Sequence, residues 1–187
     1  MLYSSIGYYS LIFGLIISFP IILLSIRNFR NEEVLDYKII TFSFIQLFLV
    51  VISFLGLVFS FIYSDFSNET VFNNSHTTKP LFYKISGTWG NHEGSLLLWL
   101  VVLTLFIFLF LIKSKDLLKK YRVLTVLFQQ IIIIGFFVFL IKSSNPFNYI
   151  FPIPDEGLGL NPILQDPALA IHPPVLYLGY VGSSIIF

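Results

Sequence analysis

The chain of 187 residues is 56% hydrophobic, 18% aromatic and 11% charged, and its formal net charge is +1. A soluble domain carries roughly twice that share of charged residues, so the composition indicates a membrane protein. The near-neutral charge gives no reason to expect nucleic-acid binding. The absence of cysteine excludes disulfides, iron–sulfur clusters and thiolate metal sites within this chain.

Four apolar windows are long enough to cross roughly 30 Å of hydrocarbon as helices. They cover residues 8–26, 39–63, 95–112 and 123–141, and none contains Asp, Glu, Lys, Arg or His. A fifth apolar window, 175–187, is too short to span. We therefore expect an all-α, polytopic membrane protein with four complete transmembrane helices, the start of a fifth and two structured outer loops. Residues 1–187 would form the amino-terminal part of a single membrane domain.

The basic residues of the loops predict the orientation of these spans. The first and third loops contain eight Lys and Arg residues, whereas the amino terminus and the second and fourth loops contain three. By the positive-inside rule, the first and third loops face the cytoplasm or matrix. The amino terminus and the longer second and fourth loops then face outward.

The second loop divides into two parts. Residues 64–80 are polar, and we expect them to be mobile. Residues 81–94 end in "TWGNHEG" and lead directly into the third span. Trp89 lies where a residue of an aromatic belt is expected. Gly90 and Gly94, which follow it, permit tight backbone geometry. Glu93 carries a charge that complements the amino terminus of a helix, and no role is assigned to His92.

The fourth loop is rich in proline but apolar, since seven of the nine prolines lie between Pro146 and Pro174. This composition predicts a rigid segment on the membrane surface rather than a disordered linker. Asp166 is suited to an N-cap, with Pro167 as the first helical residue. We expect this short helix to stop near His172, because a residue before proline is disfavoured in the α region.

The following two prolines, Pro173 and Pro174, would hold the His172 imidazole in a narrow range of directions, with Pro174 opening the fifth helix. Two roles are open for His172. It is either a polar residue at the membrane boundary, bonded to loop carbonyls, or a ligand of a metal or of haem iron. The spacing of the residues alone does not decide between these two roles.

Gln129 and Gln130 are interpreted as the only strongly polar side chains within the spans, and they are expected to bond to a neighbouring helix. A transporter or proton channel usually carries ionisable residues there. A structural or transport subunit of an organellar complex, without haem contact, is the alternative function.

The segments "WGNHEGSLLLW" (89–99) and "LNPILQDPALAIHPPVLYLGYVG" (160–182) resemble the signature segments of the CcmF family. This family is the membrane haem-lyase component of cytochrome c maturation in bacteria and in many mitochondria. The resemblance also covers the order of the spans and places both segments in outer loops.

The resemblance implies that the chain takes part in joining haem to the CxxCH motifs of apocytochrome c on the outer face of the membrane. The cofactor would be b-type haem in transit, and His172 matches a proposed axial ligand. The Trp-rich haem-handling segment would lie beyond Phe187, so activity of this chain alone is not expected. The implied partners are the rest of the lyase, a haem chaperone, apocytochrome c and the lipid bilayer.

The residue bias predicts an AT-rich gene, because alanine occurs only at Ala168 and Ala170 while phenylalanine occurs 22 times. Many organelle genomes share that bias. We therefore expect the mitochondrial inner membrane, with the amino terminus in the intermembrane space. A bacterial plasma membrane is the alternative location.

Overall fold

The computed structural model describes residues 1–30 and 37–186. Within these ranges the chain forms seven α-helices and a short 3-10 turn, Pro162–Gln165, which precedes the last helix. The helices are α1 (Leu2–Arg30), α2 (Tyr37–Ile62), α3 (Glu69–Asn74), α4 (Leu81–Gly87), α5 (His92–Lys113), α6 (Lys119–Lys142) and α7 (Pro167–Ile186). By length and composition, α1, α2, α5 and α6 can cross a membrane. The predicted all-α membrane fold is confirmed.

Helices α1 and α2 pack closely because small residues line their shared face. A Cβ atom at Gly56 would lie 2.8 Å from the carbonyl oxygen of Tyr3 and 3.0 Å from the Cα of Gly7. Ser4 and Ser60 also bond across this face, with 3.0 Å between their hydroxyl oxygens. Many large apolar side chains of the two helices instead point outward and are exposed. Small residues inside and large ones outside are typical of helices packed in lipid.

A buried polar network joins three helices at the middle of the bundle. The Gln46 side-chain amide donates to the Ser18 hydroxyl at 2.7 Å, and the Gln130 amide donates to the Gln46 oxygen at 2.9 Å. Gln129 donates to the backbone oxygen of Ser184 in α7 at 3.1 Å. The expectation that Gln129 and Gln130 bond to neighbouring helices is confirmed. The sequence interpretation was wrong to overlook Gln46, which is fully buried within α2.

The second and fourth loops pack against each other and against the start of α1, in what we call the loop cap (residues 63–80 and 143–161). Asn68 is fully buried, caps α3 and donates from its amide to the carbonyl of Pro146 at 2.9 Å. The backbone N–H of Leu158 donates to the carbonyl of Phe72 at 2.8 Å. The expectation of a mobile segment at 64–80 is therefore wrong, because hydrogen bonds to the fourth loop hold this segment in place.

Charged side chains reinforce the loop cap. The Thr77 hydroxyl donates to the Glu156 carboxylate, and the Thr77 backbone N–H also donates to it at 2.9 Å. These bonds hold the pKa of Glu156 below its usual range. Burial and the neighbouring Lys84 lower the pKa of Lys79 to about 8. Lys79 therefore loses its proton closer to neutral pH than an ordinary lysine.

Helix α7 differs most from the expectation. It begins at Pro167, as predicted, but runs without a break to Ile186 and contains Pro173 and Pro174. The predicted stop near His172 is therefore wrong, and so is the predicted start of a separate fifth helix at Pro174. The predicted apolar window from Val175 begins inside α7. The last residue of that predicted window, Phe187, lies outside the described residues.

Candidate functional site

The two segments singled out in the sequence meet where α5 begins and α7 passes it. Asp166 caps α7, because its carboxylate accepts from the backbone N–H groups of Ala168 at 2.8 Å and Leu169 at 3.1 Å. The Asp166 backbone oxygen accepts from the N–H of Ala170 at 2.9 Å. The predicted N-cap is therefore present, and it fixes the first turn of α7 at the edge of the loop cap.

Two consecutive prolines remove two backbone donors from α7. In a regular helix the N–H of residue 173 would bond to the carbonyl of Leu169, and that of residue 174 to the carbonyl of Ala170. A proline inside a helix costs about 3 kcal/mol or more when nothing compensates for the lost bond. Here the indole N–H of Trp89 donates to the carbonyl of Ala170 at 2.8 Å. This bond supplies one of the missing donors, which helps the helix to continue through the prolines.

Trp89 contacts both α2 and α7 rather than facing lipid alone. Its ring stacks on that of Phe54 in α2, with ring centroids 6.4 Å apart. Trp99, further along α5, contacts the ring of Tyr177 with centroids 5.0 Å apart. The belt position predicted for Trp89 did not include this bond of its polar edge to α7.

The turn that carries Trp89 depends on close backbone contacts. Asn91 caps α5, since its side-chain oxygen accepts from the N–H of Gly94 at 2.7 Å and its amide donates to the carbonyl of Gly87 at 2.8 Å. A Cβ atom at Gly94 would lie 1.6 Å from the carbonyl oxygen of Thr88. At Gly90 a Cβ atom would lie 3.3 Å from the side chain of Leu160 in the fourth loop and 3.4 Å from the carbonyl oxygen of Ser86. Both glycines thus serve the tight geometry predicted for them.

A cavity of about 260 Å³ lies beneath this junction, between α4, the start of α5, the 3-10 turn and α7. Its walls combine apolar and polar groups: Ser86, Trp89, Gly90, Asn91, His92, Ser95, Leu164, Leu169, Ala170, Pro173 and Tyr177. Within the described residues, the buried hydroxyl of Ser86 has no hydrogen-bond partner.

His92 and His172 occupy different environments. The His92 Nδ1 lies 2.7 Å from the hydroxyl oxygen of Ser144 in the fourth loop, and its ring meets Phe139 edge to face. His92 therefore ties α5 to the loop cap. Glu93 follows it in the first turn of α5, as predicted, where its charge suits the helix dipole.

His172 is exposed on α7. The buried face of α7 carries Ala170 and Val181, and His172 is about 200° around the helix axis from Ala170. Within the described part of the chain, the His172 imidazole has no hydrogen-bond partner, whereas His76 contacts Thr78 and His92 contacts Ser144. The apolar side chains on either side of His172 are exposed as well: Leu169, Ile171, Val175 and Leu176.

The donor set limits what this region can bind. Among the described residues no three His, Cys, Asp or Glu side chains come close enough to hold a metal ion. A single free imidazole beside apolar side chains instead suits an axial ligand of a flat, apolar haem, whose iron already has four ring nitrogens. The exposed position of His172 is therefore compatible with the ligand role, and among the described residues no loop carbonyl bonds to its ring.

Sequence reasoning missed two residues of this junction. Asn91 could have been recognised, because asparagine is a preferred N-cap residue and Glu93 follows it as the acid of a first helical turn. Ser144 gave no local signal, since its contact with His92 joins residues 52 positions apart.

Comparison with known proteins adds independent information. The profile of the family described as "Cytochrome C assembly protein" matches residues 89–187, a range that starts at Trp89 and includes all of α7. The cytochrome c-type biogenesis protein CycK of Rhizobium meliloti is 42% identical over 185 residues, which are 97% of this chain and 27% of that protein. The cytochrome c-type biogenesis protein CcmF of Escherichia coli is 42% identical over 136 residues, covering 72% of this chain and 21% of that protein.

The fold also resembles a solved structure, that of a cytochrome c haem lyase CcmF. The TM-score is 0.80 at 23% sequence identity, and the match covers 99% of this chain and 29% of the other. At this identity the likeness supports the fold alone. The chain spans less than a third of the length of each of these proteins.

Proposed function

Because this chain belongs to the CcmF-type cytochrome c assembly proteins, we propose that it is a component of a haem lyase and takes part in haem handling. Its haem would be the substrate in transit, and His172 would bind the iron as an axial ligand. The lyase would join that haem to the CxxCH motifs of apocytochrome c at the face of the membrane that carries the loop cap.

The observation that carries this proposal is the His172 imidazole, which lies on an apolar, exposed face of α7 and has no hydrogen-bond partner among the described residues. A neutral imidazole with a free ring nitrogen is a common ligand of haem iron. Exposed neighbours such as Ile171 and Val175 give the porphyrin ring an apolar surface to lie on. The N-cap at Asp166 and the contacts of Trp89 fix the backbone on which this surface is built.

The chemistry of attachment needs no electron transfer in its net balance. A cysteine thiol of the apocytochrome adds across a haem vinyl group, so that the sulfur bonds to the inner vinyl carbon. The thiol hydrogen ends on the outer carbon, and the double bond becomes a single bond. This chain has no cysteine, so none of its own side chains competes for the vinyl groups.

The proposed partners are the remainder of the lyase, a haem chaperone that delivers haem, and apocytochrome c. The proposed location is the mitochondrial inner membrane, in keeping with the low alanine and high phenylalanine content. A bacterial plasma membrane is the alternative, since the relatives described above come from bacteria.

The test is the low-spin haem spectrum of the assembled lyase complex loaded with haem from its donor. His172→Ala should abolish the signal of the transferred haem, because the iron loses its axial nitrogen. His172→Gly should lose it too and regain part of it on addition of imidazole, which can occupy the space left by the side chain.

The matched control is His92→Ala, which removes the contact with Ser144 and leaves His172 in place. Its low-spin signal should persist. An unchanged spectrum in His172→Ala would show that this histidine is not a ligand. The chain would then be better described as a structural subunit without haem contact.

A further inference from the structure

We propose that Trp89 is the positioning residue for His172, acting through the hydrogen bond from its indole N–H to the carbonyl of Ala170. This inference rests on the proposed ligand role of His172. Trp89 is 83 positions away from His172 in the chain and, in this proposal, does not touch the haem. The proposal gives the tryptophan of the "WGNHEG" segment a function.

The carbonyl that Trp89 binds is one that the sequence itself leaves without a donor. Pro174 has no N–H, and Ala170 lies four residues before it. Ala170 is only 5% exposed, so its carbonyl lies where water has little access. An unpaired carbonyl in such a place is costly, and helices in membranes tolerate proline where a neighbouring side chain satisfies the freed group. The indole N–H of Trp89, 2.8 Å away, is that side chain.

Trp89, the donor of this hydrogen bond, is itself held in place by contacts outside α7. The Trp89 ring stacks on Phe54 of α2, and the Trp89 backbone N–H donates to the carbonyl of Ser86 at 3.2 Å. Asn91 holds the same turn by its bonds to Gly87 and Gly94. A donor held in this way cannot follow α7 if that helix rotates, so the bond sets the rotation of α7 at Ala170.

Rotation at Ala170 decides where the imidazole of His172 points. The two residues are two positions apart, on nearly opposite faces of α7. A constraint on the buried face therefore fixes the direction of the exposed face. Further along α7, Tyr177 contacts Trp99 through apolar ring surfaces, and such a contact allows α7 to slide against α5. The hydrogen bond from Trp89 is directional and therefore fixes the rotation of α7.

Three variants in the assembled complex test the proposal. Trp89→Phe keeps an aromatic ring against Phe54 and removes the N–H. Pro174→Ala restores a backbone N–H that can bond to the carbonyl of Ala170. In the double variant, Trp89→Phe with Pro174→Ala, the backbone supplies the donor that the indole no longer provides.

Amide hydrogen exchange of residues 167–176 is the readout that does not depend on haem. Trp89→Phe should raise the exchange rate about three- to tenfold, the factor that corresponds to one ordinary hydrogen bond. The double variant should return to the wild-type rate. Trp99→Phe is the matched control, because among the described residues the Trp99 indole N–H has no hydrogen-bond partner, and its exchange in this segment should stay unchanged.

The low-spin haem spectrum is the second readout. The signal should weaken in Trp89→Phe and recover in the double variant, a pattern that a general loss of packing would not produce. Unchanged exchange in Trp89→Phe, or no recovery in the double variant, overturns the role of the bond. A full haem signal in Trp89→Phe beside a lost signal in His172→Ala overturns the positioning role alone. An unchanged signal in His172→Ala overturns the ligand role and with it the purpose of the positioning, while the exchange data would still report the bond.

Discussion

Gly94 lies in the first turn of α5 with its Cα against the backbone of Thr88. A Cβ atom there would be 1.6 Å from the Thr88 carbonyl oxygen and 2.8 Å from the carbonyl carbon. Backbone atoms cannot move aside as a flexible side chain can. The turn that presents Trp89 to α7 therefore depends on the absence of a side chain at this position.

Gly94→Ala should displace Thr88 and Trp89 and destabilise the protein by about 1–3 kcal/mol or more, as overpacking of a tight site does. Gly135→Ala is the matched control in α6, because among the described residues nothing apart from its own helix backbone and chain neighbours lies within 4 Å of a Cβ there. It should leave stability unchanged or raise it by up to about 1 kcal/mol, since alanine favours a helix more than glycine. Unfolding with increasing SDS in mixed micelles measures both effects. Equal stability of the two variants would contradict the backbone contact.

The residues that could be predicted from the sequence are those whose partners are close in the chain. Asp166 is an N-cap because its carboxylate bonds to amides two and three residues later. Gly94 likewise meets a backbone only six residues away. Trp89 was not assigned its partner, because Ala170 lies 81 residues further along the chain. Local rules contain no information on such a contact.

At the level of the elements, apolar windows marked the four spanning helices but not their ends. Helix α1, Leu2–Arg30, extends beyond the predicted window 8–26 at both ends. The window records where side chains suit hydrocarbon, whereas the helix continues wherever backbone bonding continues. Helix α7 shows the reverse error, since the local penalty of two prolines predicted a break, whereas the helix continues and a tertiary hydrogen bond replaces one of the two lost donors.

The contribution of the polar network around Gln46 to the stability of the helix bundle can be tested. Gln46 and Gln130 bond to each other, and both are fully buried. Gln130→Leu leaves the Gln46 side chain without part of its bonding and should destabilise the bundle by about 1–2 kcal/mol. The double variant, Gln46→Leu with Gln130→Leu, should lose less free energy of unfolding than the two single variants together. In the double variant neither glutamine is left in the bundle without its partner. Unfolding in mixed micelles gives the free energies of unfolding of the original protein, the two single variants and the double variant. If the effects of the single variants add up strictly in the double variant, the two side chains do not interact.

At the level of the whole molecule, the helices separate the chain into two ends of different charge. The amino group of Met1 pairs with Asp65, and Tyr149 lies 2.7 Å from the hydroxyl of Ser5, so the start of α1 and the second and fourth loops share one end. The other end carries eight basic residues: Arg27, Arg30, Lys38, Lys113, Lys115, Lys119, Lys120 and Arg122. The alternation of loops assumed from the sequence is thus confirmed, and the side of the membrane to which each end faces stays a prediction.

Single cysteines test that prediction without background labelling, because the chain has none of its own. Asn73 and Ser143 are exposed on the loop cap, and Lys115 is exposed at the basic end. We expect Asn73→Cys and Ser143→Cys to react with a membrane-impermeant maleimide added from the outer side, and Lys115→Cys to react only after the membrane is permeabilised. The physical reason is the positive-inside rule, by which eight basic residues at one end against three at the other set the orientation. Labelling of Lys115→Cys in intact membranes, with protection of the two cap positions, would reverse the orientation. His172, at the cap end of α7, would then face the compartment opposite to the one in which we propose haem attachment.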